Sequence, residues 1–273
     1  MKKPIFYMLT ASIILTSCQN RSNNTSVGNK TVINISTNAK FDDTLFVNSK
    51  VKIIPLETIE PSLIGDLYRI LQCNNEYYIL DGNHKDIKVF DNNGQYKRKL
   101  LKPGKGPGEY ISITDFFVWQ NKLYTTLHTG KIQVYSTETM EFIQSFPKPA
   151  TMKYVHDIFV DQEYIYLNQE IADINEKLIH VFRVKNNELE EVNRFVDNTV
   201  NGKSSRGFYF AASPNEIRPK AGSNDVSFLY KHSFDNMLYE FRNGAIAKTY
   251  EADFGENNIH GRQIEPNNNP IPL

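Results

Sequence analysis

Between Asp66 and Tyr250 the chain repeats one pattern four times: four short runs of alternating residues, rich in aromatic and β-branched side chains, each bounded by turn residues. The first unit reads Leu67–Leu71, Tyr77–Leu80, Ile87–Phe90 and Tyr96–Leu100. The second reads Phe116–Trp119, Lys122–Thr125, Ile132–Tyr135 and Phe142–Phe146. The third reads Ile158–Val160, Tyr164–Leu167, Ile179–Phe182 and Leu189–Val192, and the fourth Glu216–Arg218, Val226–Tyr230, Met237–Phe241 and Ala245–Tyr250. Asp66 to Asp115 spans 49 residues and Asp115 to Asp157 spans 42, while Tyr78, Tyr124 and Tyr166 recur at 46 and 42. Four strands per unit of this length is the pattern of a β-propeller blade. A β-sandwich or β-helix is the alternative, and the long four-stranded unit favours the propeller. Asn93-Gly94 and Asn243-Gly244 fall where the last two strands of a blade turn back as a hairpin. The expected fold class is all-β, with no convincing amphipathic helix outside the leader.

The two ends read differently. Met1-Lys2-Lys3, an apolar run from Ile5 to Leu15 and then Leu15-Thr16-Ser17-Cys18 form a secretion signal over residues 1–17, too short to span a membrane. Its ending resembles the lipobox of bacterial lipoproteins, which implies cleavage before Cys18 and a lipid on its sulfur. Gln19 in place of aspartate implies outer-membrane sorting, and the expected position faces the periplasm. Residues 18–40 read as a lipidated tether and leading segment, 41–254 as the propeller blades, and 255–273 as a Pro/Asn-rich tail.

Without residues 1–17 the chain carries 29 basic against 31 acidic residues, so no basic stripe suggests nucleic acid. One thiol besides Cys18 remains, Cys73, and it cannot form an internal disulfide. Its apolar strand context reads as a small buried residue rather than a reactive thiolate.

Lys102-Pro-Gly-Lys-Gly-Pro-Gly-Glu-Tyr110 packs three glycines and two prolines between two strand runs, which predicts a rigid, sharply turned connector from the first unit to the second. With Val51–Thr58, Leu63-Ile64-Gly65 and Phe90–Gly94, this segment resembles the BF3134-like family of six-bladed β-propeller lipoproteins. The resemblance is specific over Val51–Tyr110 and weak to about Gly255. It implies a six-bladed propeller on an envelope lipoprotein and carries no particular activity. Four units plus an N-terminal strand, Val51–Glu57, fall short of six blades. A closed propeller pairs its first strand with its last blade, so the expectation is part of a longer ring, not closed within these residues.

In propellers the blade connectors and the loops between second and third strands share one face. On that reading the face carries Glu109 and Tyr110 of the connector, Asp81, Asn83 and His84, His128, and Glu170, which together are the candidate ligand-binding residues. Turn chemistry alone also accounts for Asn, Asp and Gly there. Asp66, Asp115 and Asp157 each open a first strand; a ring of carboxylates could hold a divalent cation, and capping of strand entrances is the simpler reading. No His-Glu-x-x-His, Gly-x-Ser-x-Gly, phosphate-loop or complete calcium-loop pattern occurs, so no catalytic residue, metal ligand or cofactor is assigned. The expected function is a lipid-anchored binding or interaction scaffold of the cell envelope, whose partners are the membrane and a small-molecule, glycan or protein ligand. The alternatives are a propeller enzyme of metal-dependent lactonase or lyase type, by analogy of fold alone, and a structural envelope protein.

Overall fold

A computed structural model describes residues 30–35, 52–169, 176–198, 216–219, 227–231 and 236–255. Strand β1 (Lys30–Asn34) precedes four blades. Blade 1 holds β2 (Leu67–Cys73), β3 (Glu76–Asp81), β4 (Asp86–Asp91) and β5 (Tyr96–Leu100). Blade 2 holds β6 (Ile113–Trp119), β7 (Lys122–Leu127), β8 (Ile132–Ser136) and β9 (Phe142–Phe146). Blade 3 holds β10 (Ile158–Asp161), β11 (Tyr164–Asn168), β12 (Lys177–Lys185) and β13 (Glu188–Asp197). Blade 4 holds β14 (Glu216–Pro219), β15 (Phe228–Lys231), β16 (Met237–Arg242) and β17 (Ala245–Asp253). Each blade is an antiparallel meander in chain order, and the blades form an open propeller arc. Among the described residues the helical geometry is one 3-10 turn, Glu60–Ser62.

The blades share a detailed plan. Leu71, Phe117 and Phe159 on the first strands pair with Tyr78, Tyr124 and Tyr166 on the second. Phe90, Tyr135, Phe182 and Phe241 each follow a register break in the third strand and are buried. The break leaves one extra residue in each fourth strand: Lys97, Ile143, Val192 and Ala247. Such a bulge twists the outer edge, which makes it a poor template for a foreign strand. Blades stack through aromatic contacts; Phe117 meets Phe159 at 4.5 Å between centroids, and Phe159 meets Phe228 at 4.4 Å. Blade 4 also bonds to blade 3 through its hairpin turn: Asn243 N–H donates to Asp161 Oδ2 (2.9 Å) and Gly244 N–H to the Tyr166 hydroxyl (2.5 Å). Asp161 is fully buried, and its other oxygen, Oδ1, has no hydrogen-bond partner among the described residues. Burial therefore raises its pKa, against the donors Tyr166 and Asn243.

Val51–Glu57, expected as a strand without a partner blade in these residues, is corrected: its described part is not a strand. The strand beside the last blade is Lys30–Asn34: β1 lies parallel to β17 as a fifth strand of blade 4. The described part of Val51–Glu57 is extended coil laid on blade 1. Glu57 N–H donates to Gly94 O (2.8 Å), Tyr96 N–H donates to Glu57 Oε2 (2.9 Å), and the Gly94 backbone (φ +84°) sits so close to the Pro55 carbonyl that no Cβ fits. An apolar alternation with Pro55 inside it reads as a strand in sequence, but proline cannot serve a ladder. Elsewhere on this blade the cover is incomplete. Ile70 is 49% exposed, whereas its equivalents Phe116 and Ile158 are fully buried between blades.

Candidate functional site on the loop face

The β3–β4 and β7–β8 loops lie on the same side of the arc as the blade connectors, because each meander begins and ends there. Hydrogen bonds tie loop to connector in blades 1 to 3. Gly82 N–H donates to Asp66 O (2.9 Å), and His156 N–H to Asn168 O (2.9 Å). Lys153 N–H donates to Gln169 Oε1 (2.6 Å).

Blade 1 carries the most developed part of this face. Asp81 is fully buried at the end of β3. It accepts from the N–H groups of Gly65 (2.8 Å), Asp66 (3.1 Å), Asn83 (3.0 Å) and His84 (3.2 Å), and from Lys88 Nζ (2.9 Å). Burial works against its charge. The hydrogen bonds from His84, Gly65 and Lys88 outweigh burial and hold the carboxyl far below the usual carboxylate range. Lys88, itself buried, also bonds Asp86 (2.5 Å), so the cation lies between two carboxylates. Asp81 Oδ2 also lies 2.6 Å from His84 Nδ1, and the His84 side chain is about half exposed (53%). Asp81 is thus a brace beneath the surface, while Asn83 and His84 are the exposed groups it positions. Gly65 and Gly82 let the two loops close: a Cβ on Gly65 would sit 3.0 Å from Asn83 Cβ and His84 Cε1, and one on Gly82 2.7 Å from Asp66 Oδ2.

The glycine-rich connector does not stand on the rim. It folds down as a wedge against blade 2. Gln133 Nε2 donates to Glu109 O (3.1 Å) and the Tyr135 hydroxyl to Gly108 O (3.1 Å). Gly108 (φ +75°) passes Phe142 so closely that a Cβ would lie 2.6 Å from the Phe142 Cβ. Tyr110 is buried, with its hydroxyl donating to Leu100 O (2.9 Å), and Glu109 Oε2 accepts from Gly106 N–H (2.8 Å). Tyr110 is therefore removed from the ligand-binding set, since it has neither surface nor a free hydroxyl. Glu109 stays exposed and holds its own loop. His128 is exposed on the β7–β8 loop. Glu170 and Cys18 lie outside the described residues.

Strand register also corrects the aspartate alignment. Two positions before Leu71, Phe117 and Phe159 stand Arg69, Asp115 and Asp157. Arg69 to Asp115 is 46 residues, the same step as Tyr78 to Tyr124, so Asp66 is three residues out of phase. The row along the first strands is thus a cation followed by two carboxylates. Arg69 Nη1 donates to Asp115 Oδ1, and Asp115 Oδ2 accepts from Ile158 N–H (2.9 Å), so this one side chain joins three blades. Burial pushes the Asp115 pKa up to about 6 despite Arg69, with the charge of Asp157 adding to the rise. Asp157 accepts from Asn168 Nδ2 (2.7 Å) and lies 2.8 Å from His156 Nδ1. The sequence signal for this row was the tyrosine spacing, which names the phase that the aspartates obscure. Among the described residues no group of three or more His, Cys, Asp or Glu side chains is placed to hold a metal. Cys73 is half-buried, and burial with the charge of Glu76 pushes its thiol pKa up, the opposite of an activated thiolate.

Solved structures that resemble this arc include two from Bacteroides species. One is a Bacteroides fragilis protein named "putative exported protein", with TM-score 0.63 and 17% identity over 83% of this chain. This chain spans 60% of that protein's length. The other is a member of the DUF4221 family from Bacteroides vulgatus, with TM-score 0.49 and 12% identity over 72% of this chain and 60% of its own. The first likeness shows the fold. Curated proteins give no match to the chain. The family model described as "Domain of unknown function (DUF4934)" matches residues 27–271, nearly the whole sequence, and the chain belongs to that family.

Proposed function

We propose that this chain is a lipid-anchored β-propeller scaffold of the cell envelope that binds a ligand, whether small molecule, glycan or protein, on its loop face. The observation that carries the reading is the pairing in blade 1 of a buried, fully hydrogen-bonded carboxylate, Asp81, with an exposed imidazole, His84. Turn chemistry alone does not require an exposed side chain to be fixed by a buried charge. The leader and Cys18, the resemblance to six-bladed propeller lipoproteins and the name of the exported neighbour support an extracytoplasmic location. Outer-membrane attachment follows from Gln19 on the lipoprotein sorting pattern, and the periplasm-facing position from the absence of an acidic cluster over residues 19–30.

Two experiments test the two halves. Cys18→Ala should abolish palmitate labelling and release the protein from the membrane fraction; retention of both refutes the anchor. For the ligand, an array of envelope glycans and peptides should give a hit that is lost in a combined His84→Ala, His128→Ala and Glu170→Ala variant. An unchanged hit in that variant refutes the loop face. A second reading, a propeller enzyme, draws on the same pair, because a carboxylate-oriented imidazole is also the arrangement of a general base. Stoichiometric calcium or zinc in the purified protein would favour it.

A further inference from the structure

We infer that His84 is the ligand-contacting group of this face, held by Asp81 as the Nδ1–H tautomer so that Nε2 accepts a hydrogen bond from a hydroxyl-bearing ligand. The inference rests on the reading of the loop face as a binding face and names the class of ligand. Asp81 is ionised, as its hydrogen-bond donors dictate, and an ionised carboxylate only accepts. His84 Nδ1, 2.6 Å away, must therefore be the donor. That leaves Nε2 as the polar atom of a half-exposed ring. A carboxylate bonded to the far nitrogen fixes ligand-binding and catalytic imidazoles by the same logic.

The surroundings select the ligand. Asp66 and Asn83 are exposed and lie against the same two loops. Asp66 Oδ2 stands where a Cβ on Gly82 would meet it, and Asn83 Cβ and Nδ2, with the His84 ring, stand around the position that a Cβ on Gly65 would take. Asp66 accepts only, Asn83 both accepts and donates, and His84 Nε2 accepts. An acceptor-rich cluster of this kind matches neighbouring hydroxyls, each able to donate and accept. A phosphate or sulfate, which brings acceptors alone, would face the Asp66 carboxylate and the Nε2 lone pair, with the exposed Lys85 of the same loop as its counter-ion. His128 is the internal comparison: it is exposed on the adjacent blade, with no carboxylate bonded to its ring among the described hydrogen bonds.

The test has two arms. In the ligand-free protein, long-range 1H–15N spectra of the imidazoles at pH 8 should show His84 as the Nδ1–H tautomer and His128 in the usual Nε2–H majority. Asp81→Asn should shift His84 towards Nε2–H; if that variant fails to fold, the wild-type spectrum alone decides. An Nε2–H tautomer for wild-type His84 overturns the inference whether or not the face binds anything. In the second arm, a mixture of neutral oligosaccharides and, separately, inorganic phosphate are titrated into wild type and His84→Ala. The expected result is a shift of the His84 resonances with the oligosaccharides, affinity lowered at least tenfold in His84→Ala, and no shift with phosphate. Phosphate binding at His84 overturns the ligand class. If the tautomer is as expected but none of these probes perturbs the face, it is the loop-face reading that falls, and this inference with it.

Discussion

Replacing Arg69 by methionine should destabilise the arc in a strongly pH-dependent way. Arg69 is the cation beside Asp115, whose side chain is 2% exposed. Methionine keeps an apolar stem against Phe116, which the guanidinium covers at 5.7 Å. With Arg69 present the Asp115 pKa is already about 6, above the ordinary carboxylate value, so this group favours the folded state in its protonated form. Its contribution is complete below about pH 4 and is lost as pH rises through about 6. Removing the cation raises the folded-state value further. At pH 8 a carboxyl that must stay protonated, or stay charged without a partner, costs ~3 kcal/mol, two pH units at ~1.4 each. That agrees with the roughly 3–5 kcal/mol typical of breaking a buried pair. At pH 5 Asp115 is mostly protonated in the wild type, and the variant should lose less than about 1 kcal/mol. Urea unfolding followed by the single tryptophan, Trp119, and by circular dichroism at pH 5, 6.5 and 8 measures this. Adding Asp115→Asn to the variant should remove the pH dependence, because asparagine still accepts from Ile158 N–H. An Arg69→Met loss that is equal at pH 5 and pH 8 refutes the assignment of Asp115 as a buried charge held by Arg69.

Other consequences are simpler to check. Gly108→Ala should lower stability by about 1–3 kcal/mol, because φ is +75° and the new methyl would meet Phe142; a thermal midpoint within a degree of wild type contradicts the wedge. Asp161→Asn removes a buried carboxylate whose pKa is raised by burial, so relative to wild type the variant should gain in stability as pH rises from about 4. A relative loss as pH rises, in paired thermal melts, reverses the sign and the argument.

The blades were legible because a period of two with aromatic spacing is a property of residues alone. All sixteen blade strands lie on the runs read from sequence, within a few residues at their ends. What the sequence hid depended on register and on which blade each segment touches. The Asp66, Asp115, Asp157 series looked regular, but the pairing of Leu71 with Tyr78 puts Arg69, not Asp66, in the position that Asp115 and Asp157 hold in the next two blades. The Val51–Glu57 segment has the composition of a strand, yet Pro55 and the docking of Glu57 on Gly94 make it a cover for blade 1. Tyr110 read as a rim residue because turn-rich connectors usually are; its burial follows from Gln133 and Tyr135, which a local reading cannot place beside it. His84 was legible as a polar loop residue. The brace beneath it was not, because Asp81 draws its donors from Gly65, Asp66 and Lys88 as well as from its own loop.

The central structural claim is an arc of four stacked blades in which the first strand of blade 1 is only partly covered. Hydrogen exchange read by mass spectrometry over the first strands tests it most directly. Amides of β6 and β10, where Phe116 and Ile158 are fully buried, should exchange slowly, and those of β2 around Ile70, which is 49% exposed, distinctly faster. Equal protection of β2, β6 and β10 would contradict the open arc.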